Sequence, residues 1–400
     1  MNTILYLLTA VASALDLDEA RHLAVTRSLQ VERAAAAADA ARADHLGAIS
    51  GNLPAIAGFV DASTGAGLTS FGFERPVRTQ LGAGVAASWT LLAPSDWAAA
   101  AAARHSAEGQ AAMARWAMIS ARQDATIAYT RALAAQEAAA AWQQATEDAA
   151  QGRVAAESLV AAGLRPEADA ARARADEAEA RAAALEADGQ ARARCAELRG
   201  LLRLEVRGDC VLEPVDWAEP AEAALPEHPA LSAAREARAA ARSDLSSARL
   251  ERAVTAEVGA TAAEYNIGDG FGFGWSASVG LDAPILSSGA LQQSARAAED
   301  RLAIADAELA DQKNQLEIAL VSAEAQLAAS RAGLVAREAA LEAAQAALDL
   351  EEARYREGLS GATDWLVVRR QRDQTAAALA GARAGLGEAL AGVEAARGVW

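Results

Sequence analysis

The chain has 400 residues, 52% of them hydrophobic but only 4% aromatic, and its 54 acidic and 37 basic side chains give a formal net charge of −17. Most of the apolar share is Ala, which has the highest helix propensity but buries little area per residue, and this argues against a large globular enzyme core. The acidity argues against a nucleic-acid surface, which needs a basic patch, and no run reaches the roughly 18 consecutive apolar residues of a transmembrane helix.

Taken in chain order, residues Asn2 to Ala14 form a short apolar run ending in Ala12-Ser13-Ala14, which fits the small-x-small rule for signal-peptidase cleavage. The expectation is an exported chain with a signal peptide at 1–14; since the run has no Lys or Arg before it, a mis-assigned start or a buried apolar N-terminal segment is the alternative. A helix is expected from Leu15 to about Ile49, followed by strands at about 54–91. In the second of these, Leu81, Ala83, Val85, Ala87, Trp89 and Leu91 alternate with Gly82, Gly84, Ala86, Ser88 and Thr90, the period of a strand with one apolar face. A long helical hairpin at about 97–202 turns near Gly163-Leu164.

The Pro-rich linker 213–228 separates this first repeat, 15–212, from a second, 229–400, which runs through the same order. Its strands at about 254–282 include Phe271, Phe273, Trp275, Ala277, Val279 and Leu281 alternating with Gly and Ser, a length suited to crossing an outer membrane. Lipid-facing positions are therefore expected at Leu81, Val85, Trp89, Phe271, Phe273, Trp275, Val279 and Leu281. Four strands cannot close a barrel, so their edges require partner chains. The second hairpin, about 289–396, turns at Gly358-Leu359, and its first arm would be roughly 100 Å long. Leu320, Leu327, Leu334, Leu341, Leu348 and Tyr355 recur every seven residues there, with Leu302, Leu309 and Leu316 in an earlier register, the mark of coiled-coil packing with one stutter.

Enzyme constellations are missing from the sequence. His22, His45, His105 and His228 have no metal-ligand spacing and are expected on solvated helix faces, and there is no nucleophile elbow, zincin motif or Walker loop. No cofactor is implied. Cys195 and Cys210 are close enough in sequence for a disulfide in an oxidising compartment, and two free thiols are the other reading. Gly163-Leu164 and Gly358-Leu359 are each followed by Asp at the same offset, Asp169 and Asp364. Helix capping accounts for each Gly, but does not obviously fix the Asp.

Leu15-Asp16-Leu17-Asp18-Glu19-Ala20, Leu53-Pro54, His228-Pro229-Ala230-Leu231, Pro284-Ile285-Leu286-Ser287-Ser288-Gly289 and Tyr355-Arg356-Glu357-Gly358-Leu359 with Asp364 occur in an order that resembles the TolC-type outer-membrane efflux proteins, over nearly all of the chain after residue 14. The resemblance implies a mainly α fold with a membrane β-barrel part, built as a homotrimer whose twelve-stranded barrel continues into a long α-helical coiled-coil barrel. It implies a passive exit duct of a tripartite efflux pump or type I secretion system, in outer-membrane lipid, with a periplasmic adaptor (membrane fusion) protein and an inner-membrane transporter as partners. Gly163, Leu164, Arg165, Gly358, Leu359 and Ser360 would be the adaptor-facing tips, and Asp169 and Asp364 would ring the periplasmic aperture, where carboxylates favour cations. The first tip departs from the pattern in having Pro166 and no Tyr, the second in having Val367 three residues after Asp364, and Gly152 is expected to soften the helix before the first tip. A periplasmic coiled-coil scaffold or adaptor-like rod is the rival reading; it accounts for the heptads but not for the alternating segments.

Overall fold

The computed structural model describes residues 14–65, 78–207, 210–217, 228–267, 270–284 and 289–399. The expected signal segment up to residue 13, most of the linker, and 285–288 lie outside these described residues. The elements run α1 (Leu17–Arg27), α2 (Leu29–Ser50), β1 (Ala55–Gly65), β2 (Arg78–Leu92), α3 (Pro94–Ala161), α4 (Glu167–Leu201), α5 (Pro229–Leu250), β3 (Thr255–Ile267), β4 (Gly270–Asp282), α6 (Ala290–Arg356) and α7 (Ala362–Arg397). The order helix, two strands, long helix, helix thus occurs twice. The chain divides into two compact units that cut across this repetition: one takes Met1–Ala34, Ala114–Pro229 and Lys313–Trp400, the other Ala35–Met113 and Ala230–Gln312. They differ from the sequence repeats because α3 and α6 are each long enough to belong to both units.

The single helix expected from Leu15 to Ile49 is two. Asp16 caps α1 by accepting the Glu19 N–H at 2.6 Å, while Ser28 adopts an extended conformation and its hydroxyl accepts the Gln30 N–H at 3.2 Å. A side chain that bonds the local backbone in this way supplies both a stop and a restart.

In the first unit α1, α3 and α4 meet around Tyr129, packed with Ala20, Ala24, Ala125, Ala132, Leu198 and Leu202. The small Ala side chains let the helices approach closely enough to bury the phenol completely. Its hydroxyl lies 2.7 Å from the Leu15 carbonyl and 2.8 Å from that of Glu213, and accepts the Glu213 N–H at 3.0 Å. Burial pushes its pKa up to about 12. Leu15 pairs with Leu212 in an isolated parallel bridge, so the start of the described chain and the post-α4 segment are tied to the same side chain. Cys195 and Cys210 form a disulfide with Cα atoms 6.0 Å apart, which anchors that segment to α4.

The heptad stripe of α6 is the face that this unit covers: Leu327, Leu348 and Tyr355 are buried, with Leu327 packed on Ala389, Leu390 and Val393 of α7. Ile318, Val321, Val335 and Leu350 lie off the stripe and are exposed. The helix contains an 18-residue window of mean hydropathy 1.2, yet its 67 residues extend roughly 100 Å, about three times a hydrocarbon core.

His228 is not on a solvated face as expected but is fully buried beside Pro229, the first residue of α5. Its ring lies 4.9 Å from that of Trp116, its Nε2 donates to the Ala395 carbonyl at 3.2 Å, and Gly398, with φ 68°, passes so close that a Cβ there would be 2.7 Å from the imidazole. Burial holds its pKa below the ordinary value, partly offset by the bond to Ala395.

The second unit holds one antiparallel sheet of order β1-β2-β3-β4, with a register shift between Thr90 and Leu92. Leu245, Ala248 and Ala298, with Leu302, form the contact of α5 with α6 in this unit.

A histidine kept neutral by burial makes folding stability fully present above the ordinary pKa of about 6.5 and lost as pH falls through its depressed folded value. The thermal midpoint followed by circular dichroism in detergent should therefore fall more steeply between pH 7 and 5 in the parent than in His228→Gln, which keeps a donor but does not titrate; parallel curves would contradict this.

Candidate functional site

The strand registers sort the side chains by face. Val60, Ala83, Glu264 and Phe273 stand in one row across the sheet; Gly58, Val85, Ala262 and Trp275 form the next; Ile56, Ala87, Ala260 and Ala277 follow; and Trp89, Val258 and Val279 lie beyond. Every member but Glu264 is apolar or Gly. The opposite face carries Phe59 and Asp61 on β1, Gly82, Gly84, Ala86 and Ser88 on β2, Gly259, Thr261 and Ala263 on β3, and Gly272, Gly274, Ser276 and Ser278 on β4. A one-residue slip would exchange the faces, so the apolar rows across four strands fix the register.

Among the described residues of the second unit, none covers the apolar face. Leu81, Val85, Trp89, Phe273, Trp275, Val279 and Leu281 are between 43% and 76% exposed, while the expected Phe271 side chain lies outside what the structure describes. A soluble monomer rarely leaves such a contiguous patch in water. Gly84 is required on the other face: a Cβ there would run into the Ala262 carbonyl and come within 2.5 Å of the Ala263 Cβ.

The two helical turns share one geometry. Gly163 and Gly358 have φ 72° and 82°, the following Leu164 and Leu359 donate to the Leu159 and Arg354 carbonyls at 2.9 and 2.8 Å, and α4 and α7 then start at Glu167 and Ala362. This is a Schellman closure, in which the residue after the glycine usually packs back on its own helix. Here Leu164 and Leu359 instead remain 70% and 68% exposed.

The Asp that follows at a fixed offset has a structural account: Asp169 and Asp364 each occupy the third position of their helix, behind Pro166 and Gly361, neither of which supplies a side-chain cap. A carboxylate in the first turn compensates the open N–H groups and the helix dipole. The equivalence expected of the two ends there. Asp169 is 3% exposed and pairs with Arg172 at 3.4 Å, whereas Asp364 is exposed.

The tips differ again in Arg165 and Ser360, which turn inward rather than outward. The Arg165 guanidinium sits 4.4 Å above the Tyr355 ring and donates to the Tyr355 carbonyl, and Ser360 bonds the Glu351 carboxylate. Tyr355 stacks on Trp365 at 4.8 Å, and burial, with Asp169 adding and Arg165 opposing, raises its pKa.

Behind this stack lies an ion network with no sequence signature. Arg369 is 4% exposed, lies 5.0 Å over the Trp365 ring, pairs with Asp176 at 3.6 Å and donates to the Asp148 carbonyl. Arg372 holds the Asp148 carboxylate at 2.6 Å and lies 3.1 Å from that of Asp373, off the hydrogen-bonding axis. Burial pushes Asp176 and Asp373 above, and Arg369 below, their ordinary values, against the attraction of their partners. Gly152, expected to soften the helix, makes room for this network: a Cβ there would sit 2.5 Å from the Arg369 guanidinium and 2.8 Å from the Trp365 ring.

A family model for outer membrane efflux proteins matches residues 20–202 and 221–399. Solved structures with the same fold include the outer-membrane channel OprN, with TM-score 0.85 and 20% identity over 96% of this chain and 90% of that one. The Campylobacter jejuni outer membrane channel CmeC has TM-score 0.84 and 16% identity over 96% and 85% of the two chains. The Vibrio cholerae outer membrane protein VceC has TM-score 0.84 and 16% identity over 96% and 96%. No curated protein matches the chain in sequence.

The packing around Gly152 reverses the usual effect of replacing a helical glycine. Gly152→Ala should lower the thermal midpoint, because overpacking a buried ion pair and an indole costs about 1–3 kcal/mol against a gain in helix propensity of about 1 kcal/mol. A raised midpoint would contradict it.

Proposed function

The chain belongs to the outer membrane efflux protein family, and from that premise we propose that three copies close their sheets into one twelve-stranded barrel and that the helices continue it as a periplasmic duct. As a family member it is an outer-membrane channel that acts as a passive exit duct, and not an enzyme. The observation that carries the trimer is the sheet itself: four strands with an exposed apolar face and unpaired outer edges on β1 and β4. Hydrocarbon would cover that face, and neighbouring copies would pair the edges, since backbone polar groups left open in a bilayer cost several kcal/mol each. A scaffold in water would have no use for either feature. The exposed Ile318, Val321, Val335 and Leu350 of α6 support helix contacts between copies in the same way.

The face of small and hydroxyl-bearing residues on β2 to β4, with Phe59 and Asp61 on β1, lines the barrel. The adaptor docks on the two turns, with the exposed Leu164 and Leu359 as its apolar contacts and Gly163 and Gly358 holding them out; Arg165 and Ser360 serve the turns' own structure. Asp364 is the carboxylate of the aperture. Repeated by three-fold symmetry, it adds a ring of negative charge to a chain that is already strongly acidic, which favours cations. Asp169, buried against Arg172, supports the first turn instead. The inner-membrane transporter, and not the duct, selects the cargo.

In planar bilayers, Asp364→Asn should lower cation selectivity and change single-channel conductance, while Asp169→Asn should act mainly on stability. Unchanged conductance and selectivity in Asp364→Asn would remove that residue from the aperture.

A further inference from the structure

Among the described residues, one group of side chains outside the turns and the sheet has the composition of a metal site. His105 and Glu108 lie three residues apart on α3, and so on one face of it, and Glu236 reaches them from α5 within the second unit. Their ligand atoms all lie within 4.8 Å of one another. His105 Nδ1 is 2.8 Å from a Glu236 carboxylate oxygen and 3.8 Å from Glu108 Oε2.

We infer that His105, Glu108 and Glu236 bind a zinc ion that clips α3 to α5. Tetrahedral zinc with N and O ligands at about 2.0–2.2 Å needs donor atoms about 3.3–3.6 Å apart. The observed 2.8 and 3.8 Å bracket that spacing and the two carboxylates lie within 4.8 Å of each other, so shifts of about an ångström or less in exposed or half-buried side chains open the site. The charges suit a divalent cation: two carboxylates and a neutral imidazole oppose its charge, and Arg104, on the other oxygen of Glu108, offsets them only in part.

Two neighbours prepare the arrangement. The Arg104 Nε holds Glu108 Oε1 at 3.2 Å and leaves Oε2 for His105, a supporting contact of the kind that orients metal ligands. Gly109 faces Glu236, and a Cβ there would lie 3.4 Å from the Glu236 Cβ, so the helices meet closely at this level. Three protein ligands leave a fourth position for water. A nitrogen donor with so few oxygens disfavours Mg2+ and Ca2+, and a borderline ion such as zinc suits the set.

The test uses the full-length, untagged protein in detergent, stripped with a chelator and titrated with Zn2+ against a chromophoric competitor. One ion per chain is expected, with a Kd below about 10 µM, weakened at least about 10-fold in His105→Ala and in Glu236→Gln. Co2+ in place of zinc should show the intense visible bands of a tetrahedral site, lost in both variants. Because both substitutions are at partly exposed positions, circular dichroism should show the helices intact. No uptake by the parent protein, or equal uptake by folded variants, would overturn the assignment.

Discussion

In hydrocarbon every backbone N–H and C=O must find a partner within the protein, so a spanning sheet has to close on itself. Four strands of this chain leave the outer edges of β1 and β4 open, and four strands are too few to curl into a barrel. The rest of the molecule is consistent with that constraint being met between copies. One face of the sheet is apolar in row after row and exposed, the other is small and polar apart from Phe59 on β1, and α6 keeps apolar residues off its own packing stripe. A chain that folded for itself alone would have buried these surfaces.

The helices meet a different demand. Ala at most buried positions brings backbones close without filling an interior, which is why so many Ala residues are fully buried while the large buried side chains are few. Those few sit where direction changes. Tyr129 ties the post-α4 segment to the start of α1, and the Arg165, Tyr355 and Trp365 stack ties the two turns. The ion network behind the stack is costly to bury, and its cost is borne by a geometry in which Arg369 touches two carboxylate-bearing residues and an indole at once.

Local patterns were legible in the sequence because each obeys a short period. Alternation at Phe273, Trp275, Val279 and Leu281 gives the strand and its apolar face, heptads from Leu320 to Tyr355 give the inward stripe, and Gly-Leu pairs mark both turns. What depends on partners far along the chain was not. His228 looks solvated until Trp116 and Ala395 close over it, Gly152 looks like a weak point until Arg369 and Trp365 fill its place, and His105 meets Glu236 across 131 residues. Asp169 and Asp364 read as equals because their offset is the same, and that offset has a local cause in the first helical turn. Their difference in exposure comes from Arg172 and the surrounding packing, which no spacing encodes.

Closure between copies is the point on which the account depends, and native mass spectrometry of the protein extracted from membranes in mild detergent measures it directly. The account predicts a single dominant species of three chains that survives until the detergent is made denaturing. A stable, monodisperse single chain under the same conditions would contradict it, because the apolar sheet face and the strand edges would then have to be satisfied without a second copy.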